Sequence, residues 1–268
     1  MERPNWVPDG VDIERPSAAR LYDYALGGSH NFAVDRELFR QLTATMPDLA
    51  AQAHASRAFL RRAVHFCVAR GIRQFLDIGS GIPTRGNVHE IAQRVAPDAR
   101  VVYVDIDPVA VAHSRAILTD NDRVCVLQED LRRTERIINH RDVRALLDFD
   151  QPMAVLLVAM LHSIPDEDDP AGTVARLRDA IAPGSYLVIS HGTIESRPQA
   201  LTQGVQVLKS SGVPATLRTR AQVEDLFAGF ELVEPGVVLV PQWHPDTPRS
   251  VDDGTEPSIM VAGVGRKR

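Results

Sequence analysis

The 268-residue sequence has few cysteines and few lysines. Its two cysteines, Cys67 and Cys125, are too few for a disulfide framework, and neither lies in a C-x-x-C or Cys/His metal-ligand spacing. Lys209 and Lys267 are its only lysines, and the net charge is −5 with a pI near 6.0. Without an overall basic field to attract a phosphate backbone, nucleic acid is not an expected partner.

Long hydrophobic runs are also missing. The longest apolar run, residues 153–161, is half a membrane span, and the polar, proline-rich N-terminus has no apolar signal region. We therefore expect a cytoplasmic protein with no membrane partner, and the sequence does not indicate its oligomeric state. The length and the 44% hydrophobic content suit one large domain with an N-terminal extension.

After residue 70, short apolar runs alternate with helical patterns, which favours a parallel sheet wrapped by helices. Residues 241–257 form a long loop before the last run, which fits an antiparallel hairpin at the sheet edge. The predicted fold class is α/β, a Rossmann-like doubly wound, seven-stranded and mostly parallel sheet with an antiparallel last strand. Its strands are predicted at 73–78, 100–104, 124–127, 154–159, 186–190, 232–240 and 258–264.

Before residue 70 the pattern is helical, with helices predicted at 17–26, 35–46 and 48–69. A polar joint, Gly27-Gly28-Ser29-His30-Asn31, separates the first two. The sequence thus divides into a helical extension or lid at 1–70 and a Rossmann-like domain at 71–268.

The loop after the first strand is the first place to look for a ligand, because open α/β sheets bind beyond the carboxyl ends of their strands. It reads Asp77-Ile78-Gly79-Ser80-Gly81, whose glycines allow a tight turn and a close backbone approach. The glycines alone also fit a plain strand-to-helix turn. Thr84 stands where a nicotinamide-binding G-x-G-x-x-G loop has glycine, and the Asp77 carboxylate suits a ligand ammonium better than a pyrophosphate.

Acidic residues also follow the second and third strands. Asp105 lies 24 residues after Gly81, where a carboxylate can accept both hydroxyls of a ribose, and Ile106 would lie against an adenine face. Asp130 and the Leu131 backbone N–H could read an adenine edge. Asp107 is different, because the following proline predicts that it caps a helix.

These motifs resemble the cofactor motifs of class I S-adenosylmethionine-dependent methyltransferases, in order and in spacing. The N-terminal stretch narrows the resemblance to an actinobacterial methyltransferase group of unassigned substrate, and that likeness covers nearly the whole chain. Pro83 departs from the pattern, since it stands where the third glycine of the loop usually falls. The motifs that carry the resemblance are Asp77-x-Gly79-x-Gly81, Val104-Asp105, Glu129-Asp130, Arg20-Leu21-Tyr22-Asp23-Tyr24, Gly27-Gly28 and Asn31-Phe32.

The resemblance implies S-adenosylmethionine as cofactor and S-adenosylhomocysteine as product. Tyr22 and Asn31 could fold over the cofactor as a lid, or pack as core. The cofactor carboxylate needs a cation or donor, for which Arg20, Arg57 and Arg85 are equal candidates. The other implied contacts are the methionine part with Gly79, Ser80 and Gly81, the ribose with Asp105, the adenine with Asp130 and Leu131, and the sulfonium with residues 159–162, which begin at Ala159.

Methyl transfer is an in-line displacement at an activated carbon, so the protein mainly aligns the reactants and excludes water. A general base helps only when the acceptor is a protonated hydroxyl or amine. His162, just after the fourth strand, is the candidate base, with a structural histidine as the alternative and with His30 and His191 as weaker candidates. The acidic run at 166–169 is explained by helix capping, so no metal site is expected.

The acceptor is open at this stage. No Asn-Pro-Pro-Tyr type motif follows the fourth strand, which together with the negative charge favours a small-molecule oxygen or nitrogen acceptor. Two rival hypotheses use the same sheet: an NAD(P)-dependent oxidoreductase, and a non-catalytic module that binds S-adenosylmethionine.

Overall fold

The structure, a computed structural model of the chain, describes residues 7, 11–83, 86–246 and 258–268. The helices are α1 Ala18–Ala25, α2 Ala33–Thr43, α3 Leu49–Ala69, α4 Val88–Val95, α5 Pro108–Ile117, α6 Thr134–Ile138, α7 Arg141–Leu146, α8 Pro170–Ala180, α9 Pro198–Ser210 and α10 Arg220–Asp225. The strands are β1 Gln74–Ile78, β2 Arg100–Asp105, β3 Val124–Gln128, β4 Ala154–Val158, β5 Tyr186–Gly192, β6 Phe230–Leu232, β7 Val238–Leu239 and β8 Met260–Lys267.

The sheet has the strand order β3-β2-β1-β4-β5-β8-β6, with β7 also paired to β8. Strands β1 to β5 pair in parallel, and β8 runs antiparallel to β5, β6 and β7. Strand β1 is buried along its whole length, as expected for a central strand with helices on both faces. The predicted fold class is therefore confirmed, and the carboxyl ends of five parallel strands meet at one edge.

The sixth predicted run, 232–240, is divided in the structure. Pro235 has no N–H to give to a ladder, and Gly236, with φ of 82°, turns the chain and donates its N–H to the Val233 carbonyl at 2.8 Å. Two short strands, β6 and β7, result, and both pair with β8. The short helices α6 and α7 were not predicted, and the long loop predicted at 241–257 is described only to residue 246.

The N-terminal helices share a hydrophobic core with the sheet. Leu38 and Leu42 of α2 and Phe59 of α3 are at most 2% exposed and lie in one cluster with Phe75 of β1 and Val188 of β5. Helix α3 therefore lies directly on the sheet, which places its first half near the carboxyl ends of the strands.

A buried ion cluster attaches α1 to the tip of β2. The Arg20 guanidinium, 4% exposed, donates to Asp35 at 3.0 Å and lies 3.5 Å from Asp107, to which the Ser17 hydroxyl also donates. Asp107 accepts the Val109 N–H at 2.7 Å, so it caps α5 as predicted. Across the described residues, no helix is both long and apolar enough to cross a membrane.

Candidate functional site

The turn after β1 is held against β2 by its backbone. The N–H groups of Gly79 and Ser80 donate to the Val104 carbonyl at 2.8 and 3.2 Å. Gly79 and Gly81 have φ values of 73° and 69°, a region that side chains with a Cβ rarely adopt. A Cβ at Gly79 would lie 2.6 Å from the Cβ of Met160, whereas no described atom lies within 4 Å of a Cβ at Gly81. The turn is thus packed on one side and open at Gly81.

Asp105 closes the turn from the neighbouring strand. Its carboxylate accepts the Gly81 N–H at 2.7 Å and the Asp107 N–H at 2.8 Å. The residue is 7% exposed, and burial raises its pKa to about 6 despite these hydrogen bonds. The next side chain, Ile106, is 58% exposed, which is unusual for isoleucine beside two buried aspartates. This is an apolar surface next to a buried acceptor, as the sequence predicts for a nucleoside site.

Asp77 is a second buried carboxylate at the same edge. It is 5% exposed, and burial raises its pKa to about 7, with Arg57 opposing and Asp105 adding to the shift. Arg57 lies on α3, half-buried, and donates to the Asn87 side chain at 3.2 Å. Asp77 therefore lies near a second buried carboxyl group, that of Asp105, and near the Arg57 guanidinium.

The tip of β3 is joined to the tip of β2, since the Glu129 N–H donates to the Asp105 carbonyl at 3.1 Å. Asp130, however, is engaged by a neighbour: both of its oxygens accept from Arg132, which also bridges to Asp168 at 3.0 Å. These contacts lower the pKa of Asp130 against the opposing effect of burial. Leu131 is 3% exposed.

The tip of β4 is strained. Ala159 has φ of 55°, which costs a residue with a Cβ about 1–2 kcal/mol. Its N–H donates to the Ser190 side chain at 2.9 Å and to the Ser190 carbonyl at 3.1 Å, which hold it in place. The Ser190 hydroxyl lies 3.4 Å from that of Ser56 on α3. Strand tips four and five and helix α3 therefore meet at one point.

His162 follows this tip and is half-buried, with its Nδ1 making no hydrogen bond among the described residues. Burial, with the nearby Arg218 charge, lowers its pKa to about 4. His191 lies beside it, with ring centroids 5.8 Å apart, and burial lowers its pKa to about 3. Both imidazoles are neutral at physiological pH.

The predicted lid residues are engaged within the N-terminal helices. The Asn31 amide donates to Asp23 at 2.8 Å and to the Gly28 carbonyl at 3.0 Å, and its oxygen accepts from Arg36. The Tyr22 hydroxyl donates to the Ala53 carbonyl at 3.2 Å, and burial raises its pKa. Asn31 thus fixes the glycine joint.

The three arginines proposed as partners of the cofactor carboxylate differ in their surroundings. Arg20 is buried in its cluster with Asp35 and Asp107, whereas Arg57 lies near Asp77. Arg85 and the neighbouring Thr84 lie outside the described residues. His30, a weaker candidate base, lies beside His113 of α5, with the ring centroids 3.8 Å apart and the ring planes tilted by 50°.

Three residues at this edge were not singled out from the sequence: Ser56, Ser190 and Arg218. Each acts through a contact with a distant part of the chain, which no local motif signals. The combined site offers buried carboxylates, a tight glycine turn and an exposed apolar side chain, which together suit a cationic nucleoside ligand. Among the residues that the structure describes, no group of acidic, histidine or cysteine side chains could hold a metal ion.

Comparisons with known proteins agree with this chemistry. The sequence model of the S-adenosyl methyltransferase family matches residues 4–268. A candidate methyltransferase from Thermobifida fusca YX is 42% identical, with 99% of this chain and 100% of that chain covered and a TM-score of 0.94. A DUF574 family protein from Streptomyces avermitilis MA-4680 is 40% identical, with 96% and 99% covered and a TM-score of 0.91.

More distant structures share the fold. Human N-acetylserotonin methyltransferase, solved in complex with S-adenosylmethionine, is 14% identical over 92% of this chain and 62% of that chain, with a TM-score of 0.51. A search of curated proteins found no match to the chain.

Proposed function

The chain belongs to the S-adenosyl methyltransferase family and is an S-adenosylmethionine-dependent methyltransferase; on that premise we propose that it transfers the methyl group to an oxygen or nitrogen of a small molecule. The cofactor lies, in this proposal, across the tips of β1, β2 and β3, beneath the N-terminal helices. The domain boundary near residue 70 and a cytoplasmic location belong to the same proposal.

One observation carries the proposed site: two buried carboxylates, Asp77 and Asp105, flank a glycine turn with open space at Gly81. Burying a carboxylate raises its energy unless a donor or cation joins it. The ammonium of the cofactor would supply the cation at Asp77, and the ribose hydroxyls would supply donors at Asp105. Ile106, 58% exposed without a ligand, would cover one face of the adenine.

The remaining predicted contacts are proposed with this geometry. Gly79, Ser80 and Gly81 line the methionine part, and the Leu131 backbone N–H meets the adenine edge. Asp130 keeps its contacts with Arg132, so it would reach the adenine amino group only through its remaining acceptor capacity. Ala159 faces the sulfonium from β4, while Tyr22 and Asn31 act in the lid by fixing the helices over the site.

When bound, S-adenosylmethionine supplies a methyl carbon that is already activated by the sulfonium, so no protein nucleophile is needed. The residues of the chain orient the reactants and exclude water. His162 remains the proposed base for an acceptor with a proton to lose, since its neutral Nδ1 is buried without a described partner. Its lowered pKa, about 4, makes it a weak base, so it would more readily orient a donor group of the acceptor.

Arg57 is the proposed partner of the cofactor carboxylate, and Arg57→Met tests it. We expect the variant to bind S-adenosylhomocysteine about 10- to 150-fold more weakly, because a charge-assisted hydrogen bond contributes about 1.5–3 kcal/mol and tenfold in affinity is about 1.4 kcal/mol. Its affinity for 5′-methylthioadenosine, which lacks the amino-acid part, should be unchanged. Calorimetric titration with both ligands measures this difference, and an equal loss for both would contradict the role of Arg57.

The raised pKa of Asp77 predicts a pH-dependent affinity. In the free protein its carboxyl takes up a proton as the pH falls through about 7, and an ammonium ligand binds the ionised form. The affinity for S-adenosylhomocysteine should therefore fall about tenfold per unit as the pH drops below 7, and more steeply once Asp105 also protonates near pH 6. In Asp77→Asn the affinity should be lower at pH 8 and should not decline until Asp105 protonates near pH 6. Identical pH profiles in both proteins would refute this assignment.

Ligand-induced stabilisation tests the function itself. S-adenosylhomocysteine at 100 times its Kd should stabilise the protein by about 2.7 kcal/mol, which a melting experiment detects, whereas NAD and NADP should have no effect. Stabilisation by NAD alone would overturn the proposal. Transfer of a radiolabelled methyl group from S-adenosylmethionine to a whole-cell extract then identifies the acceptor, and labelled protein or nucleic acid instead of a labelled small molecule would contradict a small-molecule acceptor.

A further inference from the structure

Arg218 is buried between the end of β5 and the turn that follows β4, and it is 4% exposed. Its backbone pairs with Thr193, just beyond β5. Its Nη1 donates to the Leu161 carbonyl at 3.2 Å and to Nε2 of His191 at 2.7 Å. Since Nε2 accepts, the proton of His191 lies on Nδ1, which donates to the Gly192 carbonyl at 2.8 Å.

The other side of the guanidinium holds the rest of the turn. Its Nη2 donates to the Ile164 carbonyl at 3.0 Å and to Asp166 at 2.6 Å, and its Nε lies 3.2 Å from the same Asp166 oxygen. Two residues earlier, the Thr216 N–H donates to the His162 carbonyl at 2.7 Å. Residues 161–166 are therefore fixed at four points by a short segment, and five donors in a rigid plane are a property of arginine that lysine lacks.

The turn at 161–166 lies next to the glycine turn that follows β1. Met160 precedes it and lies against Gly79, where a Cβ would come within 2.6 Å of the Met160 Cβ. Ala159, one residue earlier, is already in a strained conformation. A shift of the turn would move Met160 and change the space above Gly79. Contacts thus run without a break from Arg218 through the turn to the proposed cofactor site.

The charges around Arg218 fit this role. Asp166 is its carboxylate partner, and the two imidazoles that face it, His162 and His191, have lowered pKa values to which its charge contributes. The guanidinium therefore packs against neutral rings at physiological pH.

We infer that Arg218 is a positioning residue for methyl transfer, which acts through the turn at 161–166 to set Met160 over the glycine loop and to hold His162 beside the proposed reaction centre. The inference rests on the proposed function. Since in-line transfer depends on alignment, a displacement of about 1 Å here would slow transfer about 100-fold. Because no acceptor is identified, the test measures the binding of S-adenosylhomocysteine, which the same displacement would also weaken.

The test compares Arg218→Lys with a matched control, Arg62→Lys. Arg62 also holds a loop through two carbonyls, those of Val240 and Trp243, at 2.8 and 2.9 Å. Both variants should unfold at a lower temperature, but only Arg218→Lys should weaken S-adenosylhomocysteine binding, by about tenfold, in titrations well below the melting temperature. In Arg218→Met, imidazole ¹⁵N NMR should show higher pKa values for His162 and His191.

The outcomes distinguish a failure of the proposed function from a failure of the role inferred for Arg218. If the wild-type protein does not bind S-adenosylhomocysteine, the proposed function fails and this role falls with it. If it binds but Arg218→Lys has the wild-type affinity, the inference alone is overturned. Should Arg218→Lys fail to fold, Asp166→Asn replaces it, because Asp166 is exposed and its loss leaves the carbonyl contacts. A two- to fourfold weaker affinity is then expected, and an unchanged affinity counts against the role.

Discussion

Asp105→Ala is expected to weaken S-adenosylhomocysteine binding about 100-fold or more, because hydrogen bonds to a carboxylate contribute about 1.5–3 kcal/mol each and tenfold in affinity is about 1.4 kcal/mol. The substitution removes the acceptor proposed for both ribose hydroxyls. It also releases the Gly81 N–H, which Asp105 accepts at 2.7 Å, so the glycine turn loses its restraint. Calorimetric titration measures the loss.

The free protein should tolerate this change. Burial raises the pKa of Asp105 to about 6, above the value of an unfolded aspartate, so its ionisation lowers the stability of the free protein as the pH rises through 6. At pH 8 removal of the charge therefore offsets part of the lost hydrogen bonding. Asp98→Ala, at a 68% exposed aspartate, is the control. The assignment fails if Asp105→Ala binds S-adenosylhomocysteine and 5′-methylthioadenosine like the wild-type protein.

Gly79→Ala is expected to lower the free energy of unfolding by about 2–5 kcal/mol, the sum of left-handed backbone strain and overpacking. Gly79 has φ of 73°, and a Cβ there would lie 2.6 Å from the Cβ of Met160. Alanine can therefore be accommodated only if Met160, at the end of β4, moves. Binding of S-adenosylhomocysteine should be lost with it, because Gly79 lines the methionine part of the cofactor in the proposed site.

Gly81→Ala is the matched control for this effect. Its φ of 69° is nearly the same, but no described atom lies within 4 Å of its Cβ. It should lose only the backbone strain of about 1–2 kcal/mol in urea unfolding. Equal destabilisation in the two variants would mean that contact with Met160 does not constrain the glycine turn.

Much of the fold could be predicted because local signals and tertiary structure agree. β1 is a short buried strand centred on Phe75 and Leu76, and the Asp107 carboxylate caps α5 at the position that the following proline predicts. The capping box of Thr219 with Gln222, which these two residue types at this spacing favour, begins α10. The division of 232–240 also had a local signal, since Pro235-Gly236 is a turn dipeptide within an apolar run.

The local motifs predicted which residues meet at the edge of the sheet, whereas the roles of these residues as cofactor contacts stay predictions. The turn at Asp77 and the acid at Asp105 meet because neighbouring parallel strands end at the same edge. Arg57 could not be chosen from the sequence over Arg20, since only the structure shows Arg20 bound to Asp35 and Asp107. No local motif marks Arg218 in the sequence, because the turn that it holds lies more than 50 residues earlier in the chain.

The position of β8 has a consequence for synthesis. Residues 260–267 lie between β5 on one side and β6 and β7 on the other, so these three strands obtain this partner only after β8 has left the ribosome. Until then β5 presents an unpaired edge, the kind of surface on which nascent chains aggregate. The proposed cofactor site, built from the tips of β1, β2 and β3, comes earlier in the chain than the strand that completes its sheet.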